Sequence, residues 1–103
     1  MSITMRIIQQ FDVRYEKEFM ELEKLFAKLE AKRKDYPKGR RMKPISGLLP
    51  CNTLIWECEF PDIQSARNAL SFFEGDKEHE KLFKKQVPFF EKVHIEFYEN
   101  LDF

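Results

Sequence analysis

The clearest pattern of apolar and polar residues in this chain is the stretch 51–60, which reads CNTLIWECEF. Side chains of a β-strand point alternately to its two faces. One face of this stretch therefore carries four apolar residues, Leu54, Trp56, Cys58 and Phe60. The other face carries Thr53, Ile55, Glu57 and Glu59. The pattern predicts a central strand with helices over its apolar face, and we expect any function to lie on the more polar face.

Three further segments predict strands. Residues 3–11 alternate so that Met5, Ile7 and Phe11 join the core, and residues 93–98 form a last strand. The third segment, residues 38–50, contains Pro44, Gly47 and Pro50, which are excluded from a central strand. We therefore predict a long loop there with a short edge strand.

Two helical regions separate the strands. In the first, Tyr15, Phe19, Leu22, Phe26 and Leu29 form the apolar stripe of an amphipathic helix. Asp12 is its expected N-terminal cap, and its expected end is near Lys34. Asp62 is expected to cap the second helix, whose stripe is Ile63, Ala66, Leu70 and Phe73. Gly75-Asp76 interrupts that helix, Asp76 caps a further helical segment, and Pro88 ends or kinks that segment.

The resulting order of elements is β-α-β-β-α-β. This order predicts an α+β, ferredoxin-like fold in a single domain spanning 1–103, with a four-stranded antiparallel sheet and both helices on one sheet face. We call the uncovered side of the sheet the open face. Its expected residues are Arg6, Ile8, Gln10, Thr53, Ile55, Glu57, Glu59, His94, Glu96 and Tyr98.

Charge and composition exclude several classes of function. The 18 basic and 18 acidic residues cancel, so overall charge does not steer the chain to nucleic acid or to an anionic membrane. No apolar run approaches the roughly 18 residues of a membrane span. The only two cysteines, Cys51 and Cys58, lie on opposite faces of one strand and cannot bridge within it. Two unpaired thiols are typical of a reducing compartment, and we expect a cytoplasmic protein.

The second half of the chain resembles a known family. The run from Trp56 to Leu70, the run Phe73-Glu-Gly-Asp-Lys-Glu-His79 and the end from Tyr98 to Phe103 are similar to the NIPSNAP-like branch of the dimeric α+β barrel superfamily. This resemblance covers roughly residues 50–103, and the first half agrees in the order of its elements. It implies a homodimer in which two sheets pack face to face around an enclosed lumen.

The resemblance leaves three functions open. The first is a homodimeric barrel of unassigned activity whose lumen holds a small organic molecule. The second is a cofactor-independent monooxygenase or isomerase, and the third is a non-catalytic interaction module. A histidine beside a carboxylate suits proton transfer, so the candidate catalytic residues are His94, Glu57 and Glu59. The candidate ligand-binding residues are Arg6, Ile55, Glu57, His94, Glu96 and Tyr98.

The second histidine, the cysteines and the basic segment give weaker indications of function. Haem-degrading relatives carry a histidine on the second helix, but the strongly charged neighbours of His79 indicate a solvated surface residue. The cysteines and histidines lack metal-ligand spacing, so we expect neither a metal nor a cofactor. The segment 32–43 holds seven basic residues and one acidic residue, which suits either a solvated loop or a flexible anion gate. Glu57 and Glu59 would repel phosphate, so we expect no nucleic acid on the sheet.

Overall fold

The structure is a computed structural model that describes residues 1–103. Its four strands are β1 (Ile3–Phe11), β2 (Arg40–Met42), β3 (Thr53–Phe60) and β4 (Phe90–Glu99). Its three α-helices are α1 (Glu16–Lys32), α2 (Ile63–Gly75) and α3 (Lys77–Gln86), and single 3-10 turns occupy Val13–Tyr15 and Val87–Phe89. The predicted elements are confirmed, although α1 ends two residues earlier than expected and β4 is longer at both ends.

The sheet has the order β2-β3-β1-β4, and every neighbouring pair is antiparallel. In the centre of the sheet, Ile7 pairs with Trp56 on one side and with Ile95 on the other. The next residue, Ile8, pairs with Ile55 and His94 and faces the opposite way. This topology confirms the ferredoxin-like fold.

Aspartates begin the helical segments where the sequence predicts them. The side chain of Asp62 accepts a hydrogen bond of 2.7 Å from the backbone N–H of Ser65, and that of Asp76 accepts one of 3.0 Å from the backbone N–H of His79. Asp12 caps the short 3-10 turn that leads into α1. Each carboxylate supplies an acceptor to an N–H group that the helix itself leaves unpaired.

The core lies on the helix side of the sheet. One cluster joins Met5, Trp56, Cys58 and Phe60 to Ala66 and Ala69 of α2, and a second joins Phe11, Phe19 and Leu54. The apolar face predicted for β3 is therefore confirmed. None of the helices is long and apolar enough to cross a membrane.

The helices do not cover the sheet evenly. Helix α2 packs over β3 and β1, whereas edge strand β4 keeps Val93, Ile95 and Phe97 between 40% and 46% exposed on its helix side. A single layer of short helices covers the two central strands and leaves β4 partly open. The resulting gap positions the cavity described below.

The open face is less apolar than the sequence suggests. Ile8 and Ile55 lie on this face as expected, but they are only 5% and 8% exposed. They pair with each other across β1 and β3 in the centre of the sheet. Tyr98, at 43% exposed, is the large apolar side chain that the open face does present.

Candidate functional site

A cavity of about 390 Å³ lies between the helix side of the sheet and the helices. All three helices and all four strands contribute to its wall. Its aromatic lining residues are Phe26, Tyr36, Trp56, Phe73, Phe83 and Phe90. Aliphatic side chains such as Leu70 and Ile95 complete the apolar surface. A concave apolar site with a few polar groups is the usual form of a small-molecule site.

His79 is the central polar group of this cavity. Its ring stacks on Phe73 at a centroid distance of 4.9 Å and lies 5.1 Å from the ring of Phe26. Its Nδ1 is buried and has no hydrogen-bond partner. Burial lowers the pKa of His79 below its ordinary value, against the attraction of Glu80 and Asp76. The imidazole is therefore neutral near pH 7 and can accept a hydrogen bond or a proton.

The prediction that His79 is a solvated surface residue is wrong. Its neighbours in sequence are charged, but its own ring packs against Phe26 of α1 and Phe73 of α2. His79, Phe83 and Gln86 are spaced four and three residues apart, which places them on one face of α3. All three line the cavity. This spacing is the signal in the sequence that would have indicated the correct side.

Asp76 fixes the position of His79. Besides capping α3, its carboxylate accepts hydrogen bonds of 2.7 Å from Arg33 Nη1 and 2.7 Å from the Tyr36 hydroxyl. Partial burial opposes the charge of Asp76, but these bonds outweigh it and hold its pKa below the ordinary value. The carboxylate thus ties the loop after α1 to the first turn of α3, two residues before Glu78 and three before His79.

Two buried glutamates of α1, Glu23 and Glu30, form the polar floor of the cavity. Arg41 of β2 donates to Glu23 Oε1 at 2.9 Å and also to Glu30 Oε2. The second oxygen of Glu30 accepts from Trp56 Nε1 at 3.0 Å, and that of Glu23 accepts from Gln86 Nε2 at 2.8 Å. Burial disfavours the charge of Arg41, but the two carboxylates outweigh it and raise its pKa.

This network was not indicated by the sequence. Glu23 and Glu30 are seven residues apart, which is almost two helical turns, so they share one face of α1. Each directly follows a residue of the apolar stripe, Leu22 or Leu29. The spacing shows that the two carboxylates lie together, but nothing local shows that Arg41 reaches them.

The basic segment 32–43 is not a free cationic patch. Arg33 pairs with Asp35 and Asp76, Arg40 with Glu57, Arg41 with Glu23 and Glu30, and Lys43 with Glu16. Lys38 donates instead to the backbone carbonyls of Glu30 and Arg33. The anion gate stays a prediction, but carboxylates of the same chain already pair with four of these seven cations.

The site residues predicted from the sequence lie on the open face, away from this cavity. Glu57 accepts hydrogen bonds of 2.8 Å from both Arg6 and Arg40, and these bonds lower its pKa. Arg6 also lies over the ring of Tyr98, 5.2 Å from its centroid.

The remaining predicted residues join this group only in part. Glu96 accepts a hydrogen bond from the Tyr98 hydroxyl. The side chains of His94 and Glu59 are exposed and form no hydrogen bond or ion pair. The structure therefore brings four of the seven predicted residues into one polar cluster, and their roles stay predictions.

The cavity, taken as a whole, offers apolar walls, a neutral histidine and a buried guanidinium–carboxylate network. No three side chains of His, Cys, Asp or Glu are grouped as metal ligands. Gln9 adds a buried side-chain oxygen without a partner. These groups can bind an organic molecule, orient it by hydrogen bonds and accept a proton at His79.

Comparison with known proteins identifies the fold. No family model matches the sequence, and no curated protein matches it. A NIPSNAP family protein from Agrobacterium tumefaciens superposes with a TM-score of 0.81 at 12% identity, over 99% of this chain and 88% of that one. An uncharacterised NIPSNAP domain protein from Burkholderia xenovorans gives 0.78 at 17% identity, over 100% and 97%.

A third similar structure is that of an enzyme. SnoaB, a cofactor-independent oxygenase from Streptomyces nogalater, superposes with a TM-score of 0.68 at 10% identity, over 99% of this chain and 95% of that one. The resemblance to NIPSNAP-like and monooxygenase-like α+β proteins is therefore confirmed as a resemblance of fold. At these identities it fixes the architecture and not the activity.

Proposed function

We propose that this protein binds a small, largely apolar organic molecule in the cavity between the sheet and the helices. One observation carries the proposal: the aromatic cavity contains two buried polar atoms without partners, His79 Nδ1 and Gln9 Oε1. Buried polar atoms are almost always paired, since leaving one unpaired costs about 1–3 kcal/mol. A ligand that hydrogen-bonds to them would recover that cost.

The proposal moves the binding site to the other side of the sheet from the predicted barrel lumen. A lumen between two open faces would need a second subunit, whereas this cavity is formed within one chain. Part of the charge on the open face is already engaged around Glu57 and Tyr98. On the open face Thr53 Oγ1 is also buried without a partner, but it does not line this cavity, as His79 Nδ1 and Gln9 Oε1 do.

We also propose that the chain forms a homodimer through the open face. Exposed Tyr98 and the polar residues paired around it are the features that support this arrangement. Sedimentation velocity at micromolar concentration tests it, and a mass of one subunit would contradict it. The ligand proposal does not depend on the result.

A cofactor-independent oxygenase or isomerase is the second candidate. The supporting observation is the neutral His79, which stacks on Phe73 in an apolar site and is placed to take a proton from a bound substrate. The likeness to SnoaB is in keeping with this chemistry. Replacement of His79 by Phe should then abolish turnover of a substrate that still binds, whereas a binding protein would have no turnover to lose.

Native mass spectrometry of untreated protein tests for a retained small molecule. A matched pair of variants on β4 then locates it, because neighbouring strand residues face opposite sides. Val93→Phe fills the cavity, and His94→Phe inserts the same ring on the open face. We expect Val93→Phe to lose the ligand and His94→Phe to retain it. The opposite result would place the ligand in the barrel lumen and refute the proposal.

A further inference from the structure

We infer that the cavity selects an apolar amine, bound as an ammonium ion, over a carboxylic acid of the same shape. This inference rests on the proposed ligand site and specifies the chemical class of its ligand. It follows from the balance of charge around the cavity, from the hydrogen-bonding character of its unpaired atoms and from the nature of its walls.

The charges that line the cavity are mostly negative. Four carboxylates line it, those of Glu23, Glu30, Glu74 and Glu80, and Arg41 is the permanent cation among the lining residues. His79 adds no charge near pH 7, because burial lowers its pKa. The lining therefore has an excess of about three negative charges when its carboxylates are ionised.

The excess is located where a ligand can reach it. Glu23 and Glu30 share the guanidinium of Arg41 at the floor of the cavity. Glu74 lies in the last turn of α2 and Glu80 directly after His79 in α3, and their carboxylates form no ion pair or hydrogen bond. The carboxyl end of α2 and the amino end of α3 meet here, so their dipoles offset each other and the side chains decide the local charge.

The unpaired polar atoms of the cavity are both able to accept a hydrogen bond from a ligand. Gln9 Oε1 is an acceptor, and His79 Nδ1 is an acceptor when the imidazole carries its proton on Nε2. An ammonium group supplies three donors, whereas a carboxylate supplies none and would lie among like charges. An amine therefore matches both the charge and the hydrogen bonds that the cavity leaves unsatisfied.

The walls favour the same ligand. The rings of Phe26, Tyr36, Trp56 and Phe73 present π-surfaces to the cavity. A cation over such a surface is attracted by the negative face of the ring, and aromatic sites are a common means of binding organic ammonium ions. The apolar part of an amine would occupy the same walls by ordinary hydrophobic contact.

Three probes of nearly identical shape test the inference: phenethylamine, phenethyl alcohol and phenylacetate. Trp56 is the single tryptophan of the chain and lines the cavity, so its fluorescence reports binding directly. At a pH of about 7.5 we expect the dissociation constant to increase in the order amine, alcohol, carboxylate. The amine should bind at least about tenfold more tightly than the carboxylate, which corresponds to about 1.4 kcal/mol.

A charge-removing variant identifies the residues responsible. Glu80→Gln should weaken amine binding by about two- to fivefold, the range expected for one partly exposed ion pair, and leave the alcohol unchanged. Glu18→Gln, which removes the same charge from the exposed first turn of α1, is the control and should alter neither.

The outcomes separate this inference from the proposed function. If the alcohol binds and the amine has no advantage over the carboxylate, or if Glu80→Gln leaves the amine unaffected, the charge selection is refuted and the ligand site stands. If none of the three probes perturbs Trp56, and untreated protein retains no ligand, both are refuted.

Discussion

Substitution of Gly39 is a strict test of the position of Trp56 beside the cavity floor. It lies immediately before β2, and a Cβ added there would stand 2.5 Å from Trp56 Cζ2 and closer still to Cε2 and Nε1. The indole has little room to retreat. It is 5% exposed, its Nε1 donates to Glu30 at 3.0 Å, and its ring meets Phe73 edge-on at a centroid distance of 5.8 Å.

Replacement of Gly39 by Ala should therefore destabilise the fold strongly. Forcing one extra carbon into a packed core costs typically about 1–3 kcal/mol. If the indole moves, its hydrogen bond to the Glu30 carboxylate is also lost, which is worth about 1.5–3 kcal/mol. The two effects overlap, since a displaced ring relieves some of the clash. We expect a loss of about 2–5 kcal/mol in the free energy of unfolding.

Gly75 provides the matched control. It is the last residue of α2, and an added Cβ would meet no atom within 4 Å. Gly75→Ala should stabilise the protein by about 0.4–1 kcal/mol, because alanine loses less backbone entropy on folding.

Urea unfolding followed by far-UV circular dichroism measures both variants without using the Trp56 signal. If Gly39→Ala were within about 0.5 kcal/mol of the parent protein, Trp56 could not lie where the structure places it. The cavity floor, and the probe assay that depends on it, would then be wrong as well.

Three further predictions concern groups around the cavity. Burial lowers the pKa of His79 in the folded protein, so the unfolded chain binds that proton more readily. The free energy of unfolding should therefore fall as the pH decreases below about 6.5. In urea titrations between about pH 7.5 and 5.5, His79→Phe should remove this pH dependence and His94→Gln should retain it. Arg41→Gln leaves the two buried glutamates of α1 without their cation and should cost about 3–5 kcal/mol by thermal or urea unfolding, so a loss below about 1 kcal/mol would refute the buried network. Asp62→Ala should lower the free energy of unfolding by only the roughly 1 kcal/mol of an exposed N-terminal cap. Asp76→Ala also removes the hydrogen-bond acceptor of Arg33 and Tyr36 and should lower it further. Equal losses would contradict the role of Asp76 beyond capping.

The fold could be predicted because each element carries its own local pattern. Alternation on β3 and the caps at Asp62 and Asp76 act over a few residues, so the sequence displays them directly. The start of β4 was placed too late because Phe90 pairs with Phe11 beyond a register shift, and such a pairing leaves no trace in local alternation.

The candidate site could not be predicted in the same way, because it depends on contacts between distant segments. Periodicity assigns the charged residues of α1 to solvent, yet Glu23 and Glu30 are buried. The reason is Arg41, which lies 18 and 11 residues later and reaches both from β2. His79 is half-buried for a similar reason, since the rings of Phe26 and Phe73 come from two other helices.

The polar cluster around Glu57 on the open face and the cavity on the helix side differ in how their polar groups are paired, and this difference indicates what each is suited to. On the open face, Glu57 is neutralised by Arg6 and Arg40. Such a group can be covered by another protein surface at a smaller cost than an unpaired charge, because its partners remain with it.

On the helix side, by contrast, Gln9 Oε1 and His79 Nδ1 are buried without partners, and Glu80 has no counter-ion. An interface does not need unsatisfied groups in a separate cavity, but a ligand site does, since its polar atoms must stay available until the ligand arrives. We therefore expect association to depend on the open face and ligand binding on the helix side. Variants on one side should leave the other property unchanged.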